Sequence, residues 1–313
     1  MIVKFSSNPV LQLFGIAFWN IWLLFFYALF AGVAFVLCHF YEYHFFELPP
    51  VPVSILGGAL AIFLGFKNSS AYDRWWEARK IWGSIVNDSR SLGMEINTYC
   101  IPKPGEEVEL DEWKKRTTYR HIGWLYALRS LLRSESHCEV LKNWVNKEDG
   151  EVLSPAKNVP AQLILIQAKD VSYAFEKGWI EQFRFKAYMS TLKKMYDNQG
   201  KCERIKNTVF PFYYNYFTNL FLWLFTVSLP FALASEIHTW VMIPVSIAIS
   251  FAFAMLNKSG QITENPFEGR AADTPITTIV RGIEIDLLQM LEESDLPDPE
   301  EEIKGRFGVI YKK

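Results

Sequence analysis

Side chains able to ligate a metal or move a proton are scattered along this sequence. Four cysteines, Cys38, Cys100, Cys138 and Cys202, show no CxxC spacing, and those in a reducing compartment would not pair as disulfides. His137 and Cys138 are adjacent ligands without partners at helical spacing, which is not a zinc pattern. His39, His44 and His238 could sense pH or hold a cation if brought together, although packing at a membrane interface accounts for them as well. There is no glycine-rich phosphate loop and no HExxH. No enzyme, cofactor or metal is therefore expected. One series does carry a chemistry. At about 100° per residue, Gly58, Ile62 and Phe66 fall within an arc of about 80° of one helix, and Ser69, Asp73 and Lys80 continue the same face. Around an axis of several copies this would be an apolar neck opening into a wet vestibule, and an apolar constriction can stop ions by dewetting. The alternative is that the face packs inside one bundle, with Gly57, Gly58 and Gly65 allowing close helix approach.

The elements that must position this face are membrane helices. The chain is 50% hydrophobic and 16% aromatic, yet its net charge is only −2, so no basic excess exists to bind nucleic acid. The charges are segregated. Nearly uncharged stretches at about 10–40, 48–66, 208–235 and 239–257 are each long enough to cross a ~30 Å hydrocarbon core. Asn8 and Pro9 suit the start of the first helix, whose apolar run is too long for a signal peptide. Lys and Arg flank one side of these spans: Lys67, Arg74, Arg79 and Lys80, then Lys201, Arg204 and Lys206, then Lys258. The connections 39–50 and 236–238 contain neither. The positive-inside rule therefore places both termini and the segment 67–206 in the cytoplasm, in a multi-pass protein of the inner or plasma membrane.

The cytoplasmic segments 67–206 and 258–290 read as helical, with apolar faces over 111–133, 159–177 and 181–197. Breaks are expected at 101–105, 147–150 and 198–200, and the acidic end from 291 to 313 as an extended, solvated tail. Leu128 and Leu132 are expected to bury against a neighbouring subunit. No Asp, Glu, Lys or Arg lies inside the four spans, which disfavours a coupled transporter.

Three stretches together resemble the bestrophin family in its bacterial branch: IFLGFKNSSAYDRWWEARKIWG from Ile62, NQGKCERIKNT from Asn198, and ENPF from Glu264. The resemblance runs from about residue 10 to about residue 290. It implies an all-α homopentamer with four transmembrane helices per subunit and one axial pore lined by the second. It places the neck on Gly58, Ile62 and Phe66, with Gly58 smaller than the bulky residue usual there. A cytoplasmic aperture falls on Arg184, or on Ile180 or Phe183 if the register shifts. In calcium-gated members the Asn-Pro-Phe motif leads into a run of aspartates; here Arg270 and Ile262 stand where oxygen ligands would be expected, so calcium gating is not expected.

The expected function is passive conduction of small inorganic ions. Lys67, Arg74 and Arg184 incline the reading to an anion, chloride. Asp73 and an outer mouth of Glu42, Glu47 and Glu236 would suit monovalent cations, which some bacterial relatives are implied to pass. A membrane sensor or scaffold whose cytoplasmic helices bind a partner protein is the alternative class.

Overall fold

A computed structural model describes residues 2–5, 15, 17–41, 46–136, 138–208, 211–305 and 309–312. Asn8, Pro9, Glu42, His44 and His137 lie outside the described residues. Helix α1 covers Ile21–Phe35 and continues through a π turn, Val36–Phe40. It is followed by α2 (Pro50–Tyr99), α3 (Glu107–Arg133), the short α4 (Cys138–Leu141) and α5 (Lys147–Leu153), then α6 (Val159–Glu176) and α7 (Gln182–Asn207). The membrane helices α8 (Phe212–Ala234) and α9 (Met242–Thr263) and the amphipathic α10 (Ile276–Met290) complete the helical part. Among the described residues four helices are long and apolar enough to cross a membrane: Ile21–Phe40, Pro50–Tyr99, Phe212–Ala234 and Met242–Thr263.

Helix α2 organises the subunit. Its 50 residues span about 75 Å at 1.5 Å per residue, more than twice the hydrocarbon thickness. Prolines occupy its first turn, where a missing N–H costs nothing. None follows until Pro102, and the chain leaves the helix at Cys100 in an extended conformation. Its buried residues recur at helical spacing: Val53, Gly57, Leu60, Leu64, then Ala71, Ala78, Ile85 and Leu92. In the membrane half this face packs on Leu222, Phe225 and Leu229 of α8. Gly57 lies under the Phe225 ring, where an added Cβ would come within 2.7 Å. Gly58 and Gly65 face open space, so of the three glycines only Gly57 serves close helix approach inside the subunit.

In the cytoplasmic half the same face enters a core containing Trp82, Trp113, Trp124, Trp179 and Tyr188. Leu128 and Leu132 belong to this core and are fully buried within one subunit. They are not contacts between subunits. The apolar periodicity of α3 was legible, but periodicity does not say whose core a face enters.

Two expected breaks are helical instead. Helix α7 runs straight through Asn198-Gln199-Gly200 because tertiary contacts occupy the two polar side chains. Asn198 Nδ2 donates to Asp88 at 2.8 Å, and Gln199 Oε1 accepts from Trp124 Nε1 at 3.0 Å. At 147–150 the segment starts α5, capped by Asn146, whose side chain accepts from the Asp149 N–H at 2.8 Å. Asp149 and Asp170 hold Arg120 between them in a buried ion cluster. The tail is also not wholly extended. β2 (Ile303–Lys304) and β3 (Val309–Tyr311) form an antiparallel sheet with β1 (Ile2–Phe5) in the order β1-β3-β2, so the two chain ends meet.

Candidate functional site: the open face of the long helix

The face of α2 opposite its buried stripe stays open in the subunit. Gly58, Ile62, Phe66, Ser69, Asp73 and Lys80 are all exposed, with Ile62 at 61% and Phe66 at 69%. Exposed apolar side chains on a membrane helix suit lipid as well, as with Trp22 at 81% and Phe25 at 62% on α1; what sets this face apart is its continuation into the exposed polar residues Ser69, Asp73 and Lys80. Nothing lies within 4 Å of a Cβ added at Gly58, so its small size is not required by packing within the subunit. The structure thus brings all six expected residues onto one line. It also extends the line: Ser84, Asn87, Met94 and Thr98 are exposed along the same face, within about 40° of Ile62 at 100° per residue. The same rotation carried five turns beyond Lys80 reaches Thr98.

Lys67, Arg74 and Arg184 behave differently, because each is committed to holding the fold. Lys67 is 1% exposed and points away from the open face, donating to Asn257 Oδ1 of α9 at 2.9 Å. Arg74 donates to three backbone carbonyls, Glu264 at 3.1 Å, Thr208 at 2.7 Å and Ile205 at 2.8 Å. These carbonyls lie at the C-terminal ends of α9 and α7, where the last carbonyls have no intrahelical donor, so one guanidinium ties both ends to α2. Beside it, Trp75 Nε1 donates to the Ala272 carbonyl at 3.0 Å. Arg184 donates to the Tyr99 carbonyl at 3.2 Å and lies over the Tyr99 ring. The three cations expected to favour anions in the lumen therefore serve as fasteners.

At the expected aperture, Ile180 is 2% exposed inside the cytoplasmic core. It has no face left to line a passage, because α7 begins only at Gln182 and the turn before it folds Trp179 and Ile180 inward. Arg184 is partly buried, whereas Phe183 is 82% exposed. Of the outer-mouth carboxylates, Glu236 is exposed and Glu47 partly so. The rings of His39 and His238 stack at 6.4 Å.

Around the Asn265-Pro266-Phe267 turn, Asp273 is buried and its Oδ2 accepts from the Arg270 N–H at 3.0 Å. Burial pushes its carboxyl above the usual range, and the Arg270 N–H works against that shift. Among the described residues no three His, Cys, Asp or Glu side chains cluster as metal ligands.

Comparison with known proteins agrees with this architecture. Residues 16–289 match the family described as Bacterial/Fungal Bestrophin protein. The voltage-dependent anion channel-forming protein YneE of Salmonella typhi is 34% identical over 249 residues, covering 79% of this chain and 78% of that protein. The similarly named protein RSc3414 of Ralstonia nicotianae is 30% identical over 253 residues, 80% of each chain. Among solved structures, a bacterial bestrophin homologue from Klebsiella pneumoniae superposes with a TM-score of 0.81 at 26% identity, covering 88% of this chain and 99% of that one. A point variant of that homologue gives 0.79 at 27% identity, covering 86% and 98%. The chain belongs to the bacterial and fungal bestrophin family.

Proposed function

We propose that this chain forms a passive anion channel, with chloride as the carried ion, in which five copies surround one axial pore lined by α2. The observation that carries the reading is the single open stripe on that helix, apolar at Gly58, Ile62 and Phe66 and polar from Ser69 through Asp73 to Lys80. Five such stripes form a neck about 12 Å long from Gly58 to Phe66 and a wider polar vestibule below it. Phe183 at the start of α7 is the residue we assign to the cytoplasmic aperture, on the strength of its exposure. Both chain ends belong on the cytoplasmic side of an inner or plasma membrane; their pairing in one sheet supports a shared side. The names of the YneE and RSc3414 relatives support an anion as the cargo. Gating does not depend on calcium, since the Asp273 carboxylate is turned inward onto its own turn.

A second reading, conduction of monovalent cations, is favoured by one specific observation. With Lys67, Arg74 and Arg184 spent on fold contacts, the charges left on the open face of α2 are Asp73 and Lys80, and the carboxylate is the nearer of the two to the neck. Reversal potentials of the purified protein in liposomes under a salt gradient decide between the two. A potential near the chloride equilibrium value is expected, and one near the cation value overturns the anion assignment.

A further inference from the structure

Between α1, α8 and α9 lies a cavity of about 330 Å³ whose polar lining includes Asn20, Asn219, Asn257, Lys258 and Gln261. They cluster toward one end of the three helices. Asn219 is seven residues into α8, Asn257 and Lys258 lie five to six residues before the end of α9, and Asn20 is at the mouth of α1. At 1.5 Å per residue Asn219, Asn257 and Lys258 are roughly 10 Å inside the helix ends and Asn20 is at its helix start, a depth at which a bilayer changes from headgroup to chain. The deeper wall is mainly apolar, with Leu23, Tyr27, Leu222 and Trp223, and Trp223 is itself half exposed near the middle of α8.

The hydrogen-bond polarity of this cavity has one sign. Lys67, a pure donor, fixes the carbonyl oxygen of Asn257 toward itself at 2.9 Å. The Asn257 amide nitrogen must then point the other way, and it donates to Asn219 Oδ1 at 2.9 Å. That consumes the Asn219 acceptor and leaves its amide hydrogens as the group it can offer. Lys258 Nζ donates to Asn20 Oδ1 at 2.6 Å, which uses one of its three hydrogens. Among the described residues neither Lys67 nor Lys258 has a carboxylate at ion-pair distance. Glu264 acts on Lys67 from beyond ion-pair distance, whereas Lys258, at the proposed cytoplasmic end of its span, is hydrogen-bonded to a neutral amide and keeps spare donors that an acceptor-only anion would satisfy.

We propose that this cavity binds the phosphate of an anionic glycerophospholipid of the cytoplasmic leaflet, held by Lys258 and the Asn219 amide, with a chain against Leu23, Tyr27 and Trp223. A free inorganic anion would use the same donors but would leave the apolar wall wet. The leaflet follows from the proposed orientation; the binding itself rests only on the membrane placement of the helices and is independent of conduction.

Native mass spectrometry of the full chain in detergent tests it, with phosphatidylglycerol and phosphatidylcholine titrated separately. Phosphatidylglycerol is expected to bind at one per subunit and phosphatidylcholine about tenfold more weakly, because the latter's ammonium offsets its phosphate. Lys258→Gln is expected to lower phosphatidylglycerol affinity about tenfold, the loss of one charge-assisted contact. Asn20→Asp, which places a carboxylate against Lys258, is expected to do the same, and it carries the test if Lys258→Gln does not fold. Equal binding of the two lipids, or wild-type affinity in Asn20→Asp, overturns the proposal. Displacement by millimolar inorganic phosphate shows a free-anion site and overturns the lipid assignment.

Discussion

Replacing Asp73 with Asn should move ion selection toward anions, and by an amount that the geometry bounds. Asp73 is exposed on the open face of α2, seven residues beyond Phe66, or about 10 Å down the axis. In a pentamer its five carboxylates form a ring; taking an ion on the axis about 8 Å from each, the Coulomb energy in water is about 0.5 kcal/mol per carboxylate, near 2.6 for five. Screening over a Debye length of about 8 Å at physiological salt reduces this to roughly 1 kcal/mol, which enriches a cation about fivefold and depletes an anion about fivefold. Removing the ring shifts the anion-to-cation permeability ratio by roughly 25-fold toward anions. Lys80 lies another seven residues on, about 10 Å further, so the two rings are separated by more than a screening length. Lys80→Gln should therefore shift the ratio the opposite way by a similar factor. Both shifts should largely vanish near 1 M salt, where the Debye length is about 3 Å. Lys67→Gln is the discriminating control: Lys67 is buried against Asn257, so its loss should leave the reversal potential in place. If Lys67→Gln shifts selectivity and Asp73→Asn does not, the lumen is lined by the other side of α2 and the pore assignment fails.

The remaining expectations concern gating, calcium and stability. Ile62→Ala with Phe66→Ala removes the exposed apolar ring and should raise flux through liposomes, because a wider and wetter neck dewets less readily; a folded double variant conducting no better than the parent places the barrier elsewhere. Micromolar calcium should leave open probability unchanged in bilayer recordings, and a rise abolished by Asp273→Asn would show that the buried carboxylate does meet a cation. Leu128→Asp with Leu132→Asp should destroy the fold of the subunit rather than release folded monomers, since both positions are fully buried and each carboxylate would lose several kcal/mol of packing and solvation; folded monomers by native mass measurement would refute it. Glu95 is buried between α2 and α7, with Oε1 accepting from Thr191 at 2.8 Å, and burial raises its carboxyl above 4.5. The folded chain then holds a proton that the unfolded chain releases, so stability should fall as pH rises from the ordinary carboxylate range through the raised value. Glu95→Gln should flatten that slope in thermal unfolding followed against pH, and an unchanged slope would show that other groups set it.

What could be read from the sequence and what could not divide along a physical line. Rotation about a helix axis is fixed by backbone geometry, so residues of α2 that share an angle could be identified from spacing, and the exposed set Gly58, Ile62, Phe66, Ser69, Asp73 and Lys80 is the one the spacing selects. Which side of that helix meets its own subunit was not legible, because Lys67 and Asp73 are both charged and near the same turns, and only tertiary packing sends one inward to Asn257 and the other outward. The same holds at α7. Asn198 and Gln199 carry turn chemistry locally, and partners on α2 and α3, more than 70 residues away in sequence, hold them in a helix.

The basic residues carry this difference into function. A guanidinium or ammonium near a membrane helix end is as useful for closing off unpaired carbonyls as for attracting ions, and spacing cannot tell the two uses apart. Arg74 has five donors and spends three of its hydrogen bonds on carbonyls of α7 and α9. A residue so engaged cannot also turn toward the axis without leaving helix ends unsatisfied, and that costs on the order of 1–3 kcal/mol for each buried group. On the proposed axis, the charges left to act on an ion are Asp73 and Lys80, with Ser84, Asn87 and Thr98 exposed beyond them. Since Asp73 and Lys80 cancel in sum, the sign of the carried ion depends on their order along the axis and on the screening between them, with the carboxylate nearer the neck.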